Sequence, residues 1–381
     1  MEQSLQYIVR ATTDEEYKAK MPYVTSSMIE AVNTCPRWGV IHNVLGKRFT
    51  SGYRQMALEA GSLMHEVFSC LNLVQIGLHQ GLPEHMHFNG ELLFNKQRWE
   101  YIWNETTKKT PEPTIDDTNA LERMVFACIG SSEFYDDPND RNRTVSNLEH
   151  CSLELLQYYL INLIQLPIYI ADEKDASKPV GIEMSLDAVF EIDGKKSTFQ
   201  THNGNAFDIQ EKKLIRCIGL ADVVYQNPET KAISLGEYKT ASSMNDAWRM
   251  AFDTRHQITL YNALLQAYFG YQQSFNTILI GSAIPVRTTS IPVQHFQVDR
   301  DQENVNELLN TFAFTQGMIE QYRDKPLETP MFTHSCNRYF RPCSMIDLCT
   351  AAKDDQYIML DTMVDEPTLS PSEQKAMMRN M

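Results

Sequence analysis

The spacing of hydrophobic positions changes near residue 180. Before that point apolar residues recur at helical spacing. RQMALEAGSLMHEVFSCLNLVQ, residues 54 to 75, predicts a long helix, and two more are predicted near 117 to 130 and 145 to 164. In VTSSMIEAV the separation of Ser27 and Glu30 predicts a capping box at the start of an earlier helix. The stretches 81 to 95, 106 to 116 and 131 to 143 are polar and rich in turn residues. After 180 the period falls to two. IEMSLDAVFEIDGKKS alternates and then meets Asp-Gly, which predicts a strand entering a hairpin turn. LIRCIGLADVVYQNPETKAISLGEYKT predicts two strands joined by the turn QNPET. A helix over roughly 244 to 269, strands in FNTILIGSA and IPVQHFQVD, and a helix in DQENVNELLNTFAFTQGMIEQYRD complete the pattern. Helices, strands, helix, strand, helix predict an α/β fold with a mixed central sheet and a helical N-terminal elaboration.

Composition narrows the function classes. The 381 residues include 43% hydrophobic and 22% charged, as in an ordinary globular protein. The formal net charge is -15, so a nucleic-acid partner has to be held by a local basic groove against the overall field. No apolar run approaches ~18 residues, so no membrane span is expected. MEQSLQYIVRATTDEEYKAK lacks the basic and apolar regions of a signal peptide. The expectation is a cytoplasmic protein, in the host cytoplasm if phage-encoded, with reduced cysteines unless they bind metal.

Charged residues stand at the end of an apolar run in SLGEYKTAS, residues 234 to 242. On a strand, Glu237 and Lys239 project to one face and Tyr238 to the other. A hairpin brings Asp222 of GLADVVY beside Glu237, and two carboxylates on adjacent strands suit a hard cation such as Mg²⁺ or Mn²⁺. From spacing alone, an ion pair on a half-exposed strand is the better-supported reading, because D-x(n)-E-x-K is short and degenerate.

The ordered set of motifs resembles the PD-(D/E)XK nuclease superfamily, and within it the RecB-like exonuclease branch. GLADVV followed by SLGEYKT resembles its core. AGSLMHEVF, with Gly61 and His65, resembles its GxxxH helix; VGIEMSL resembles the strand with an upstream glutamate, Glu183; HQITLY, with Gln257 and Tyr261, resembles its QxxxY helix. The likeness covers roughly residues 22 to 70 and 180 to 350. It implies that Asp222 and Glu237 ligate the catalytic metal, with His65 and the Tyr238 carbonyl as further ligands. It also implies that Lys239 assists the nucleophilic water and that Gln257 and Tyr261 contact DNA or brace the site. The implied organisation is a helical region over 1–180, a nuclease core over 181–330, and a cysteine region and tail over 331–381. Thr240, Ser242 and Arg249 are candidate phosphate contacts or plain surface residues. Trp38, Tyr53 and Trp248 are candidates for base stacking or core.

CNRYFRPCSMIDLC, residues 336 to 349, holds three of the eight cysteines with spacing C-x6-C-x5-C. Thiolates are soft ligands, and a fourth is available in Cys35. One cysteine before the core and three near the end resembles RecB-like exonucleases with an iron–sulfur cluster, such as the CRISPR-adaptation and AddB-type nucleases. That likeness implies a [4Fe–4S] cluster on Cys35, Cys336, Cys343 and Cys349. The family group often begins with C-x2-C, so His334 stands as an alternative to Cys336. Zinc is the competing metal, although no short C-x2-4-C knuckle is present. Cys70, Cys128, Cys151 and Cys217 lie in apolar stretches and are expected in the core.

The resemblance therefore implies a metal-dependent DNA exonuclease acting at DNA ends or single strands in recombination, repair or DNA processing. The chain has no G-x-x-x-x-G-K-[ST] loop, so any helicase motor is a separate partner, as is a recombinase or annealing protein. The alternatives are a catalytically silent, nuclease-fold DNA-binding subunit and a structural metalloprotein with an incidental ion pair.

Overall fold

The computed structural model describes residues 8–12, 23–48, 56–80, 96–109, 117–171, 180–192, 197–200, 206–209, 213–253, 255–270, 276–284, 293–332, 336–338 and 341–365. Two short strands, β1 (Ile8–Thr12) and β2 (Tyr23–Val24), precede the helices α1 (Ser26–Thr34), α2 (Met56–Gln80), α3 (Lys96–Thr107), α4 (Thr118–Gly130) and α5 (Val145–Asn162). Then come β3 (Ile182–Ile192), β4 (Lys213–Gln226), β5 (Ile233–Ala241), α6 (Asp246–Met250), α7 (His256–Phe269), β6 (Asn276–Ala283), β7 (Val293–Asp299) and α8 (Gln302–Tyr322). The helices α9 (Ile346–Thr350) and α10 (Lys353–Thr362) follow.

The main strands form one mixed sheet in the order β1-β3-β4-β5-β6-β7, with β2 also pairing with β4. β5 and β6 run parallel, as do β2 and β4, while the other neighbours are antiparallel. The fold is thus α/β. A parallel pair needs a crossover connection, and α6 and α7 supply it between β5 and β6.

Helices cover both faces of the sheet, which accounts for near-continuous apolar runs such as LIRCIGLADVV. On one side Phe68, Leu71, Met124 and Leu155 of α2, α4 and α5 pack with Ile182, Val223 and Tyr238. On the other, Leu260, Leu264 and Phe312 of α7 and α8 pack with Met184, Leu186, Phe190 and Leu235. A smaller cluster joins Ile41 to Leu327, Met345, Leu348 and Met363, with Trp38, Cys343 and Cys349 against it. Among the described residues no helix is long and apolar enough to cross a membrane.

Several expectations are corrected. The cap of α1 is Thr25, whose extended backbone lets its side chain accept from the Met28 N–H at 3.2 Å. Ser27 already lies in the first turn, so the Ser27–Glu30 box does not form. The helix expected over 244 to 269 is two helices. Asn245 caps the first by accepting from the Trp248 N–H at 2.9 Å. The junction is held by Arg300, which donates to the Phe252 carbonyl at 2.6 Å and to Thr259 Oγ1 at 2.8 Å. The N-terminal region is not wholly helical, because β1 and β2 join the sheet. Helix α3 was not anticipated: KQRWEYIWNETT is polar and buries little beyond Trp99, Ile102 and Thr106. The Asp-Gly turn after β3 lies outside the described residues. The QNPET turn is as expected, with the Asn227 side chain accepting the Glu229 and Thr230 N–H groups at 2.9 Å.

Candidate active site

The site begins with strand register. Ile182 pairs with Val223 and Met184 with Ala221, so Glu183 stands opposite Asp222. Val223 pairs with Gly236, which makes Asp222 and Glu237 the next opposed residues. There the backbone ladder gives way, and the Tyr238 N–H donates to Asp222 Oδ2 at 2.6 Å. Three carboxylates are therefore aligned across three neighbouring strands, and all three residues are buried. Glu183 carries a positive φ of 46°, the left-handed region that a residue with a Cβ seldom occupies.

Helices deliver the remaining groups from both faces. From α2, His65 Nδ1 lies 3.5 Å from Asp222 Oδ1. Its ring meets the Tyr238 ring edge-on, with centroids 5.1 Å apart. One turn later the Ser69 hydroxyl donates to Glu183 Oε1 at 2.9 Å. Helix α2 comes close because residue 61 is glycine: a Cβ there would lie 3.1 Å from Thr240 Oγ1. The partner in that approach is the Thr240 side chain, rather than a second backbone.

From α7, Gln257 Nε2 donates to Glu237 Oε1 at 2.8 Å and to the Tyr261 hydroxyl oxygen at 2.9 Å. Lys239 Nζ pairs with the same Glu237 oxygen. The Tyr261 ring packs closely against Gly219 of β4, where a Cβ would be 2.5 Å from it. As its alternation requires, Tyr238 points away from Glu237 and stacks on Phe68 with centroids 5.0 Å apart. All six expected side chains, His65, Asp222, Glu237, Lys239, Gln257 and Tyr261, thus belong to one connected constellation, which Glu183 joins.

Electrostatics divide the two central carboxylates. Burial and the Asp222 charge push Glu237 up to about 7, against the pull of Lys239 and His65. Burial also works against ionised Asp222, but His65, Lys239 and the Tyr238 N–H more than offset it and hold the carboxyl below its usual value. Burial lowers His65, while Asp222 raises it further and leaves it above normal. Burial likewise opposes the Lys239 charge, yet Glu237 and Asp222 hold the ammonium above its usual value despite repulsion from Arg255. Two groups in this neighbourhood, Ser69 and Arg255, were not anticipated. Ser69 was legible as the i+4 neighbour of His65 on one helix face, whereas Arg255 had no motif to mark it.

The donor set has the chemistry a hard cation prefers. Glu237 Oε2 is buried with no hydrogen-bond partner, which is a costly state for a carboxylate oxygen unless a cation meets it. Right-angled ligands bonded at 2.0–2.2 Å lie about 3 Å apart, comparable with the His65–Asp222 separation. Among the described residues no three His, Cys, Asp or Glu side chains are already disposed to hold a metal ion together. Loading the site therefore asks the side chains to turn toward a shared ion.

The four expected cluster cysteines lie near one another between Pro36–Trp38 and α9, the Cys343 N–H donating to the Cys336 carbonyl at 2.8 Å, but among the described residues no three of them are already disposed to hold a metal ion together. Burial pushes the Cys343 thiol up, as do Cys35 and Cys336, while the Met345 N–H donates to its sulfur at 3.4 Å. Burial also raises Cys349, with Cys35 and Cys343 adding to it and the Arg37 guanidinium, hydrogen-bonded to its sulfur, opposing. Arg37 also donates to the carbonyls of Thr329 at 3.0 Å and Leu327 at 2.6 Å, tying this corner together. His334 and Tyr53 lie outside the described residues. Cys70, Cys128, Cys151 and Cys217 are buried as expected.

Three of the residues named as candidate nucleic-acid contacts lie against other side chains or glycine backbone of the protein. Trp248 lies on Gly281 and against the Phe252 ring, 4.8 Å between centroids. Arg249 sits over the Phe296 ring at 5.6 Å. Trp38 stacks on His42 beside the cysteines, 5.2 Å between centroids. Comparison with family models finds no match to this chain, and comparison with curated proteins finds none either.

Proposed function

We propose that the chain is a metal-dependent DNA exonuclease with a PD-(D/E)XK core of RecB-like type. The observation that carries this reading is the alignment of Glu183, Asp222 and Glu237 across β3, β4 and β5, with Lys239 paired to the last of them. An incidental surface ion pair would not be buried, nor would it gather carboxylates from three strands.

Hydrolysis of a DNA phosphodiester needs a water oxygen to attack phosphorus, losing a proton, while the bond to the leaving deoxyribose oxygen breaks and that oxygen takes up a proton. Negative charge builds on the phosphoryl oxygens meanwhile. Asp222 and Glu237, with His65 beside them, are the residues that would hold Mg²⁺ or Mn²⁺, and the Tyr238 carbonyl is a further candidate. The cation would acidify a bound water and offset the phosphoryl charge. Lys239 orients the water or stabilises that charge. Gln257 and Lys239 both engage Glu237 Oε1, which leaves Oε2 as the open donor. Tyr261 holds Gln257 in place.

Cys35, Cys336, Cys343 and Cys349 are assigned to a [4Fe–4S] cluster with a structural role, zinc being the competing metal. The cluster would bind residues far apart in the chain, an effect on chain entropy like that of a long-range crosslink. The substrate is DNA with a free end or a single strand, and a separate helicase, recombinase or annealing protein would work beside it in a cytoplasmic setting. The test is degradation of linear DNA that requires Mg²⁺ or Mn²⁺ and stops in EDTA. Binding of DNA without cleavage under any metal would favour the DNA-binding subunit instead.

A further inference from the structure

Arginines in a chain with 49 acidic and 34 basic residues readily find carboxylates. Arg98 pairs with Glu66, Arg143 with Asp140 and Arg216 with Asp187. Arg255 does not follow them: among the described residues its side chain makes no ion pair and no hydrogen bond. It is nevertheless held in place, with the guanidinium carbon 4.4 Å from the centroid of the Phe252 ring. A guanidinium laid on an aromatic face keeps its N–H edges available for an oxyanion.

Its position gives that anion an address. Arg255 is the N-cap of α7, in extended conformation with φ −68° and ψ 126°. Two residues on, Gln257 reaches Glu237, and Arg255 acts by repulsion on Lys239. The N-terminal end of a 14-residue helix adds its own positive potential. Arg255 and the helix N-terminus thus stand at the end of α7 that reaches the carboxylate site through Gln257, where their positive potential favours an anion.

We propose that Arg255 is a DNA-phosphate clamp of the active site, donating two parallel N–H groups of one guanidinium edge to two oxygens of a backbone phosphate of the bound strand beside Lys239. This rests on the nuclease reading above.

The test is the salt dependence of binding to a fluorescently labelled single-stranded oligonucleotide, with EDTA present so that nothing is cleaved. Losing one phosphate contact lowers the slope of log affinity against log salt by about 0.7 for a single strand. Arg255→Ala is expected to lose that increment and to weaken binding about ten-fold at low salt. Arg255→Lys, which keeps the charge, restores the slope but not the full affinity. A thermal melt confirms that each variant is folded. An unchanged slope in folded Arg255→Ala, with salt-dependent binding by the wild type, overturns the clamp and leaves the nuclease reading standing. No salt-dependent binding by the wild type overturns both.

Discussion

Glu183 faces Asp222 across β3 and β4 at the point where both strands change the side to which their residues point. Ile182 and Val223 pack into the core beneath α2, whereas Met184 and Ala221, two residues away on each strand, pack into the core beneath α7 and α8. A regular strand returns to the same face every two residues, so each strand must rotate here. The positive φ of Glu183 marks the rotation on β3. Backbone strain of this kind, about 1–3 kcal/mol, persists where the surroundings over-determine it, and it clusters at functional sites.

Ser69 is one such restraint. Removing its hydroxyl takes away a hydrogen bond to a buried carboxylate, an effect of about 1.5–3 kcal/mol. Ser69→Ala is expected to lower stability by about that amount in chemical denaturation and to weaken Mn²⁺ binding measured by calorimetry. Ser69→Thr, which retains the hydroxyl, is expected to recover the binding. Equal Mn²⁺ affinity in Ser69→Ala and wild type would remove Glu183 from the site.

Glu237 gives the metal-free protein a defined pH response. Its pKa is raised from 4.5 to about 7, so the folded state binds more protons than the unfolded state across that window. Stability therefore falls as pH rises from about 4.5 through about 7 and is not regained above it. In EDTA, Glu237→Gln is expected to flatten that fall and to melt a few degrees above wild type near pH ~8. A parallel decline in both proteins would place the unfavourable charge elsewhere.

Gly219 supports the site from behind. A methyl group there would lie 2.5 Å and 2.9 Å from Tyr261 ring atoms and 3.0 Å from Leu264, all in a packed core. Gly219→Ala is expected to lose about 1–3 kcal/mol in denaturant unfolding. It should also reduce turnover, because Tyr261 orients Gln257. Undiminished stability would mean that the ring has room to move.

The cysteine corner is tested by metal content. Protein purified without oxygen is expected to carry iron and the visible absorption of an iron–sulfur cluster, both lost in Cys343→Ser. The variant should also melt earlier, since the proposed cluster would join the segment around Cys35 to α9. Zinc in place of iron would select the competing metal, and an absence of both in intact protein would contradict the assignment. Retention of the cluster in Cys336→Ser would bring in His334 as the ligand.

Much of the site was legible because its chemistry is written at short range. Glu237 and Lys239 share a face by strand alternation, and Gln257 and Tyr261 share one by helical spacing. The QNPET turn sets the Asp222–Glu237 opposition through its length. What escaped depends on tertiary position. β1 is a single short run, IVRAT, that becomes a strand by pairing along the edge of β3. The break before α7 depends on Arg300, which arrives from 41 residues beyond Thr259. The rotation at Glu183 has no local signal, since it is imposed by two cores on opposite sides of the sheet.

The proposed nuclease is tested by comparing wild type with Lys239→Ala on end-labelled linear DNA in Mg²⁺, Mn²⁺ and EDTA, with DNA binding measured in parallel. The wild type is expected to cleave only with metal, and Lys239→Ala is expected to lose cleavage while retaining binding. Substantial cleavage by Lys239→Ala would contradict the role given to this lysine, and no cleavage by the wild type under either metal would contradict the enzyme itself.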